Sequence, residues 1–548
     1  MAHALAGKPV QEQDIIDVQT IVDAYFDNVP DMTNPTQLVS FGTSGHRGTS
    51  VDGTFTDLHV AAITQAICDG RKQFGATGPI FVGQDTHALS QPALVTVLEV
   101  LAGNGVTAMV DCDMAFVPTP SVSRAIIRYN EEHDDKADGI IITPSHNPPD
   151  NGGIKYNTII GGPADTVVTK WIEMRANEYL TAYCESEDFK RISIDNIEPT
   201  AQVPYDYKGL YVEELGDVIN MEAIKAAGPK VLVDTLGGSG ASYWNAIKER
   251  YGLDLTIIHD DYDPTFSFMT YDHDGKVRMD CSSTYVMASV INRIGDFDLA
   301  VGNDPDYDRY GIVVSSGLIS ANIFLTLAAR YLFTTRGWKN KGVGKTVVCT
   351  TMIDKWAADA ETPVFEVPVG FKYFSQLLFD GAIGIGGEES AGASFLKKDG
   401  TVWTTDKDGM IMALLSMEIM AVMGKSALKM TDEFVEEFGN PSFGRIDAPC
   451  KKEQKQILKQ MSAELITATT VDGNPITNIR TTSLYNDMPI DGVRVETDKG
   501  WFVARPSGTE DLYKIYGESY KGDLGLVALL TAGEEIVNAA LNGTIETE

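Results

Sequence analysis

Ala137-Asp-Gly-Ile-Ile-Ile-Thr-Pro-Ser-His-Asn-Pro-Pro-Asp-Asn-Gly-Gly-Ile-Lys-Tyr-Asn157 is the stretch around which the chain is organised. Ile140 to Ile142 form a β-branched run without charge, and Thr143-Pro144, two further prolines and two glycines follow. That order predicts a buried strand breaking into a rigid loop. Ser145 stands at the break. Pro144 lacks an N–H and, with Pro148 and Pro149, restricts the backbone on both sides of Ser145, so the hydroxyl and the His146 imidazole sit on a preformed turn. A hydroxyl at the end of a buried strand, with Lys155 close in sequence, suits a nucleophile or a phosphoryl carrier. Taken alone, the same residues would also make a proline-rich surface loop.

The pattern recurs. Asp138-Gly-Ile-Ile-Ile runs into the Ser145 loop, Asp298-Leu-Ala-Val into Asn303-Asp-Pro-Asp-Tyr-Asp-Arg309, and Asp380-Gly-Ala-Ile-Gly-Ile into Gly387-Glu-Glu-Ser-Ala-Gly392. Each is an acidic residue, a short apolar strand and a polar loop, preceded by an earlier strand at Pro79 to Val82, Lys230 to Asp234 or Thr346 to Thr350. This predicts three related α/β units, each placing one functional loop at the end of a central strand. Ahead of them lies an N-terminal arm with a helix over Asp14 to Phe26. The loop Phe41-Gly-Thr-Ser-Gly-His-Arg-Gly48 follows, whose backbone N–H groups and Arg47 could meet a phosphate. After Asn440-Pro441 the composition changes. Helices over Lys452 to Leu465 and Leu524 to Leu541, strands near Gly492 to Glu496 and Trp501 to Ala504, and the loop Arg505-Pro-Ser-Gly-Thr-Glu510 predict a smaller α+β domain with a phosphate-suited loop. The expected domains are therefore 1–200, 201–322, 323–438 and 439–548.

With 548 residues and 43% hydrophobic content the chain can fill several ordinary cores, while its net charge of −33 disfavours nucleic acid and anionic membranes as partners. No basic segment followed by an apolar block opens the sequence, and Met410 to Met423, interrupted by Ser416 and Glu418, reads as a buried helix rather than a membrane span. The six cysteines show no paired spacing, which argues against zinc and disulfides and for a reducing compartment, the cytoplasm.

Asp304, Asp306 and Asp308 alternate, so in a turning loop they can converge on one hard cation. An EF-hand fails, because the sixth position is Arg309 and the twelfth Ser315. Glu388, Glu389 and Ser390 offer acceptors and a donor suited to sugar hydroxyls. Lys372, near Gly370, and Lys407, between two aspartates, gain weight only from such neighbours. His87 and His133 show no metal-ligand spacing and read as structural or exposed. The G-x-S-x-G spacing of a hydrolase elbow is missing from both the Ser145 loop and Gly237-Gly-Ser-Gly240.

Thr143 to Pro148, Asp304 to Arg309, Gly387 to Gly392 and Arg505 to Glu510, in that order and with Gly42 to Gly48 as a fifth segment, resemble the signature of the α-D-phosphohexomutase superfamily, nearest its bacterial, glucose-type phosphoglucomutases. The resemblance implies three α/β domains with mixed sheets and a fourth, TATA-binding-protein-like α+β domain around a central cleft. It implies that Ser145 carries a phosphoryl group and that α-D-glucose 1-phosphate and glucose 6-phosphate interconvert through glucose 1,6-bisphosphate. Mg²⁺ would be held by Asp304, Asp306, Asp308 and the Ser145 phosphate, with Arg309 also against that phosphate. Lys155 is the implied proton-transfer group, with Arg47, His146 and Lys407 as alternatives. Glu388, Ser390, Gly370 and Lys372 would meet the sugar, and Arg505, Ser507, Gly508 and Thr509 the phosphate that is not being transferred. Glu389 favours glucose over mannose, leaving a phosphomannomutase or broad phosphohexomutase as the alternative. A phosphatase and a non-catalytic sugar-phosphate-binding scaffold are the rival classes, and bacterial members are often homodimers.

Overall fold

The computed structural model describes residues 2–42, 44–184, 189–506 and 512–545. The chain divides into two compact units. One comprises Met1–Ala321, Phe374–Ala382 and Ser390–Leu428, the other Asn322–Tyr373, Ile383–Glu389 and Lys429–Glu548.

The first unit holds two sheets. One runs β1 (His46–Thr49), β5 (Asn151–Asn157), β4 (Asp138–Ile142), β2 (Ile80–Gln84), β3 (Ala108–Asp111), β6 (Gln202–Tyr205) across its width. β4, β2, β3 and β6 are parallel, whereas at one edge β5 is antiparallel to β4 and β1 antiparallel to β5. The expected uncharged run, Ile140 to Ile142, is fully buried in β4, as a strand covered on both faces must be. The second sheet repeats the arrangement in the order β11 (Gly317–Leu318), β10 (Tyr310–Val314), β9 (Leu299–Asn303), β7 (Val231–Asp234), β8 (Leu255–Ile258), with β9, β7 and β8 parallel, β10 antiparallel to β9 and β11 antiparallel to β10. In both sheets the functional loop thus joins a central parallel strand to an antiparallel neighbour. Residues 143–150 connect β4 to β5, and residues 304–309 connect β9 to β10.

Two glycines let the first of these turns close. A Cβ on Gly152 would lie 2.3 Å from the Phe55 ring, and one on Gly153 would lie 2.2 Å from the Thr143 carbonyl oxygen and 2.9 Å from Pro144 Cα. The clash at Gly153 is with backbone and cannot be relieved by a rotamer. Gly153→Ala is therefore expected to cost about 1–3 kcal/mol, read as a lower denaturant midpoint.

In the second unit β12 (Gly342–Thr346) lies between β13 (Val364–Val367) and β14 (Ile383–Gly387), all parallel. The strand expected at Thr346 to Thr350 is thus displaced: β12 ends at Thr346, the Val347 N–H still donates to Val367 O at 2.9 Å, and Val347 and Val348 pack with Ile490, Trp501 and Val503. β14 leads through residues 388–392 to β15 (Ala393–Phe395) of the first unit. The C-terminal sheet is wholly antiparallel, in the order β16 (Ser442–Pro449), β21 (Leu512–Ser519), β20 (Gly500–Pro506), β19 (Pro489–Thr497), β18 (Asn474–Thr482), β17 (Thr470–Val471). The helix expected over Lys452 to Leu465 ends at Lys459, and a short 3₁₀ turn, Ala463–Leu465, follows. Gly522–Asn542 is long and apolar enough to cross a membrane, but Leu529, Leu530, Val537 and Leu541 within it join the core of this sheet. The N-terminal helix begins at Val18 rather than Asp14, because Asp17 caps it by accepting from the Gln19 N–H. The helix expected over Met410 to Met423 starts at Gly409 and is buried through Ile419, while Val422 and Met423 at its end are exposed.

Candidate active site

The Ser145 loop begins as soon as β4 ends, and Ser145 adopts the left-handed conformation, φ 62°. For a side chain with a Cβ this costs on the order of 1–3 kcal/mol, and such strain persists only where the surroundings impose it. Its hydroxyl is buried, donates to Asp304 Oδ2 at 3.0 Å and lies 3.2 Å from His146 Nδ1.

The three aspartates converge as expected. One ligand oxygen from each lies within 4.8 Å of the others, and all three residues are buried. Asp306 Oδ2 accepts from Lys155 Nζ at 2.6 Å and from the Thr119 hydroxyl at 2.7 Å. Asp308 Oδ2 faces Lys155 at 3.1 Å and Lys407 at 2.9 Å. The second oxygen of each, Asp306 Oδ1 and Asp308 Oδ1, is buried with no hydrogen-bond partner among the described residues. Buried carboxylate oxygens left open beside a third carboxylate are what a hard cation takes, so the triad fits a metal site.

Electrostatics follow the geometry. Burial and the two neighbouring aspartates push Asp304 well above the ordinary carboxylate range. Burial opposes ionisation of Asp308 too, but Lys155, Lys407 and Arg309 outweigh it and hold that carboxyl far below. Lys155 is raised, since Asp306 and Asp308 overcome its desolvation. His146 is pushed down by burial and by the positive Arg309 and Arg47, which keeps its ring neutral. Burial raises Asp280, yet the Arg309 guanidinium and the Ser282 hydroxyl and N–H outweigh it and hold the carboxyl below its ordinary value. Its Oδ2 lies 3.8 Å from His146 Nε2 and 3.5 Å from Arg309 Nη1. The Arg309 N–H also donates to Asp304 Oδ1 at 2.9 Å. Arg47, on β1, is half-buried in the field of the same three aspartates, with Nη2 3.3 Å from Ser44 Oγ.

Lys407 reaches the aspartates from a loop held by its neighbours. Ser123 Oγ accepts from the Thr405 and Asp406 N–H groups at 3.2 and 3.3 Å, Thr405 Oγ1 donates to Ile160 O at 2.5 Å, and Asn157 Nδ2 donates to Asp406 Oδ2 at 3.0 Å. Asp408 caps the following helix at Ile411 N and accepts from Tyr211 Oη at 2.8 Å and Trp403 Nε1 at 2.8 Å. Burial nevertheless raises Asp408 from 3.8 to about 6. The folded chain therefore binds this proton more tightly than the unfolded one. The stabilisation is complete below the unfolded value, and about 3 kcal/mol is lost as pH rises from about 4 to 6. Asp408→Asn should remove that slope, giving a stability difference from the parent that varies with pH only in this window, read from melts at pH 4 and pH 7.

The structure thus brings Ser145, His146, Arg47, Lys155, Lys407, Asp304, Asp306, Asp308 and Arg309 together within the first unit. Sequence reading missed Thr119, Asp280, Asp406 and the burial of His87. A threonine between two prolines opening a helix, and alternating charge before Gly409, were visible signals for Thr119 and Asp406; Asp280 had none. Of the residues expected to meet a sugar, Glu388, Gly370 and Lys372 belong to the second unit and Ser390 to the first. Glu388 is buried. Arg505 lies on β20, its Nε buried without a hydrogen-bond partner among the described residues. Ser507, Gly508 and Thr509 lie outside the described residues.

Four family models match the chain in order. They are the phosphoglucomutase/phosphomannomutase α/β/α domain I over residues 38–182, domain II over 210–317, domain III over 320–438, and the C-terminal domain over 447–524. The chain is 46% identical over 539 residues to a phosphoglucomutase from Komagataeibacter xylinus, covering 97% of each. It is 26% identical over 526 residues to phosphoglucomutase 1 of Saccharomyces cerevisiae, covering 88% of each. Its fold is similar to the open form of parafusin from Paramecium, with a TM-score of 0.72 at 20% identity over 94% of this chain and 96% of that one.

Proposed function

The chain belongs to the phosphoglucomutase/phosphomannomutase family, and from that premise we propose that it interconverts α-D-glucose 1-phosphate and glucose 6-phosphate through a phosphoserine at Ser145. The observation that carries this reading is the buried Ser145 hydroxyl, held on a left-handed turn and donating to one of three convergent aspartates. In each half-reaction one O–P bond forms and one breaks. Phosphoserine gives its phosphoryl group to the free hydroxyl of the sugar monophosphate, and the Ser145 oxygen leaves. The resulting glucose 1,6-bisphosphate returns its other phosphoryl group to Ser145.

Asp304, Asp306 and Asp308, with an oxygen of the phosphoserine, would hold Mg²⁺, which when bound neutralises charge on the transferring group. Arg309, Arg47 and Lys407 add fixed positive charge beside the same oxygens. Lys155, buried against Asp306 and Asp308, is our assignment for proton transfer at the sugar oxygen, and His146, next to the serine oxygen, orients that oxygen. Glu388, Ser390, Gly370 and Lys372 are assigned to the sugar, and Arg505, Ser507, Gly508 and Thr509 to the remote phosphate, so that either end of the bisphosphate can face Ser145. Domains 1–200, 201–322, 323–438 and 439–548 would each supply one of these loops.

Specificity is tested by comparing kcat/KM for glucose 1-phosphate and mannose 1-phosphate with Mg²⁺ and a trace of glucose 1,6-bisphosphate. The glucose ester should be favoured by about tenfold or more. Equal values would make the enzyme a broad phosphohexomutase.

A further inference from the structure

β2 lies parallel to β4, with Gln84 opposite Ile142, so the residues just beyond the two strands are also neighbours. Asp85 follows β2, Thr143 follows β4, and the Asp85 N–H donates to Ile142 O at 3.0 Å. Asp85, His87, Ser90 and Thr143 are all buried. The Asp85 carboxylate collects four donors. Oδ1 accepts from Ser90 Oγ at 2.5 Å and from the His87 N–H at 3.0 Å; Oδ2 accepts from Thr143 Oγ1 at 2.6 Å and His87 Nδ1 at 2.8 Å.

Two connections run from this carboxylate into the Ser145 loop. Thr143 has one hydroxyl proton and gives it to Asp85, so the oxygen is turned as an acceptor toward the Ser145 N–H, 2.8 Å away. His87 faces Asp85 at Nδ1 and the Asn147 carbonyl at Nε2, 3.0 Å away. Neither oxygen has a proton to give, so the ring donates at both nitrogens. The loop is thereby held at Ser145 N and at Asn147 O, on either side of the Ser145 hydroxyl. Ser145 is itself in the left-handed conformation, which a serine adopts only when held there.

We propose that Asp85, His87 and Thr143 are positioning residues for phosphoryl transfer, a buried clamp that holds the left-handed turn and thereby aims the Ser145 oxygen at the phosphorus. The inference rests on the assignment of Ser145 as the reacting hydroxyl. All three are buried and none is among the residues assigned to the sugar, so the clamp should govern kcat rather than KM.

The test uses the full-length enzyme with Mg²⁺ and compares Thr143→Val, which keeps the shape and removes the hydroxyl, with Thr143→Ser, which restores it. Thr143→Val should lower kcat by about tenfold to hundredfold, because a small misplacement of a reacting atom has effects of that size. KM for glucose 1-phosphate should stay within about threefold, and phosphoryl uptake onto Ser145 from glucose 1,6-bisphosphate, followed by rapid quench and intact mass, should slow in parallel. Thr143→Ser should recover both. A merely structural role would lower the melting temperature without slowing uptake per folded molecule. Thr143→Val with kcat and uptake within twofold of the parent, or Thr143→Ser as slow as Thr143→Val, overturns the clamp. Should Thr143→Val not fold, His87→Gln is read by the same criteria. Ser145→Ala is run alongside: if it stays active, the phosphoserine assignment fails rather than the clamp.

Discussion

Ser145→Ala lowers the interconversion of glucose 1-phosphate and glucose 6-phosphate by about 10⁴-fold or more, because the variant has no hydroxyl at the position that faces the convergent aspartates. The Thr119 hydroxyl is committed to Asp306 Oδ2, and the Thr143 hydroxyl to Asp85. The loss is one of chemistry rather than folding. Alanine removes the bonds to Asp304 and His146 but meets the same backbone strain at φ 62°. Ser145→Gly separates the two effects: glycine tolerates that φ, so this variant should be as inactive as alanine while melting higher by the equivalent of about 1 kcal/mol. Assay and thermal melt on the same two samples check both statements.

Asp306→Asn is expected to carry the second largest effect. Its carboxylate anchors Lys155 and Thr119 with one oxygen and keeps the other open and buried. The amide removes one of the two carboxylates that contact Lys155 and one anionic ligand from the triad, so kcat should fall by about 10²-fold or more. The same substitution should erase metal-linked stability. A cation that binds only the folded chain stabilises it by about 2.7 kcal/mol at a hundredfold excess over Kd. The parent should show that rise in a melt with and without Mg²⁺, and Asp306→Asn should show almost none. Excess chelator should bring the parent down to the variant's curve.

The strand-and-loop pattern was legible because buried parallel strands are short apolar runs, and because proline and glycine mark where they stop. Ile140 to Ile142 and Leu299 to Val301 show this directly. The hairpin partner of each central strand was harder to read. β5 carries Gly152, Gly153 and a buried lysine, a composition that looks like loop until the Phe55 ring and the Thr143 carbonyl packed over its glycines are known. The acidic residue opening each repeat is not a shared device. Asp138 binds Arg71 and Tyr156, whereas Asp298 accepts from the Lys230 N–H.

The convergence of the three aspartates followed from alternation in a turn. Their partners did not, since Lys155 and Thr119 meet Asp306 across 151 and 187 residues, distances at which no local periodicity operates. His87 shows the same limit. Nothing near it in sequence indicates that its ring joins Asp85 to the Asn147 carbonyl. Of the reading as structural or exposed the first half holds, since the ring is buried, while its link to the Ser145 loop was not legible. The resemblance of four ordered motifs, with Gly42 to Gly48 as a fifth segment, supplied what local patterns could not, since together they span the chain from Gly42 to Glu510.

The most direct measurement is phosphorus NMR of the purified protein with Mg²⁺, a trace of glucose 1,6-bisphosphate and an excess of glucose 1-phosphate, beside the Ser145→Ala variant. Growth of the glucose 6-phosphate resonance at the expense of the 1-phosphate, without inorganic phosphate and only with Ser145 present, is the predicted result. Release of inorganic phosphate, or conversion that continues without Ser145, would contradict it.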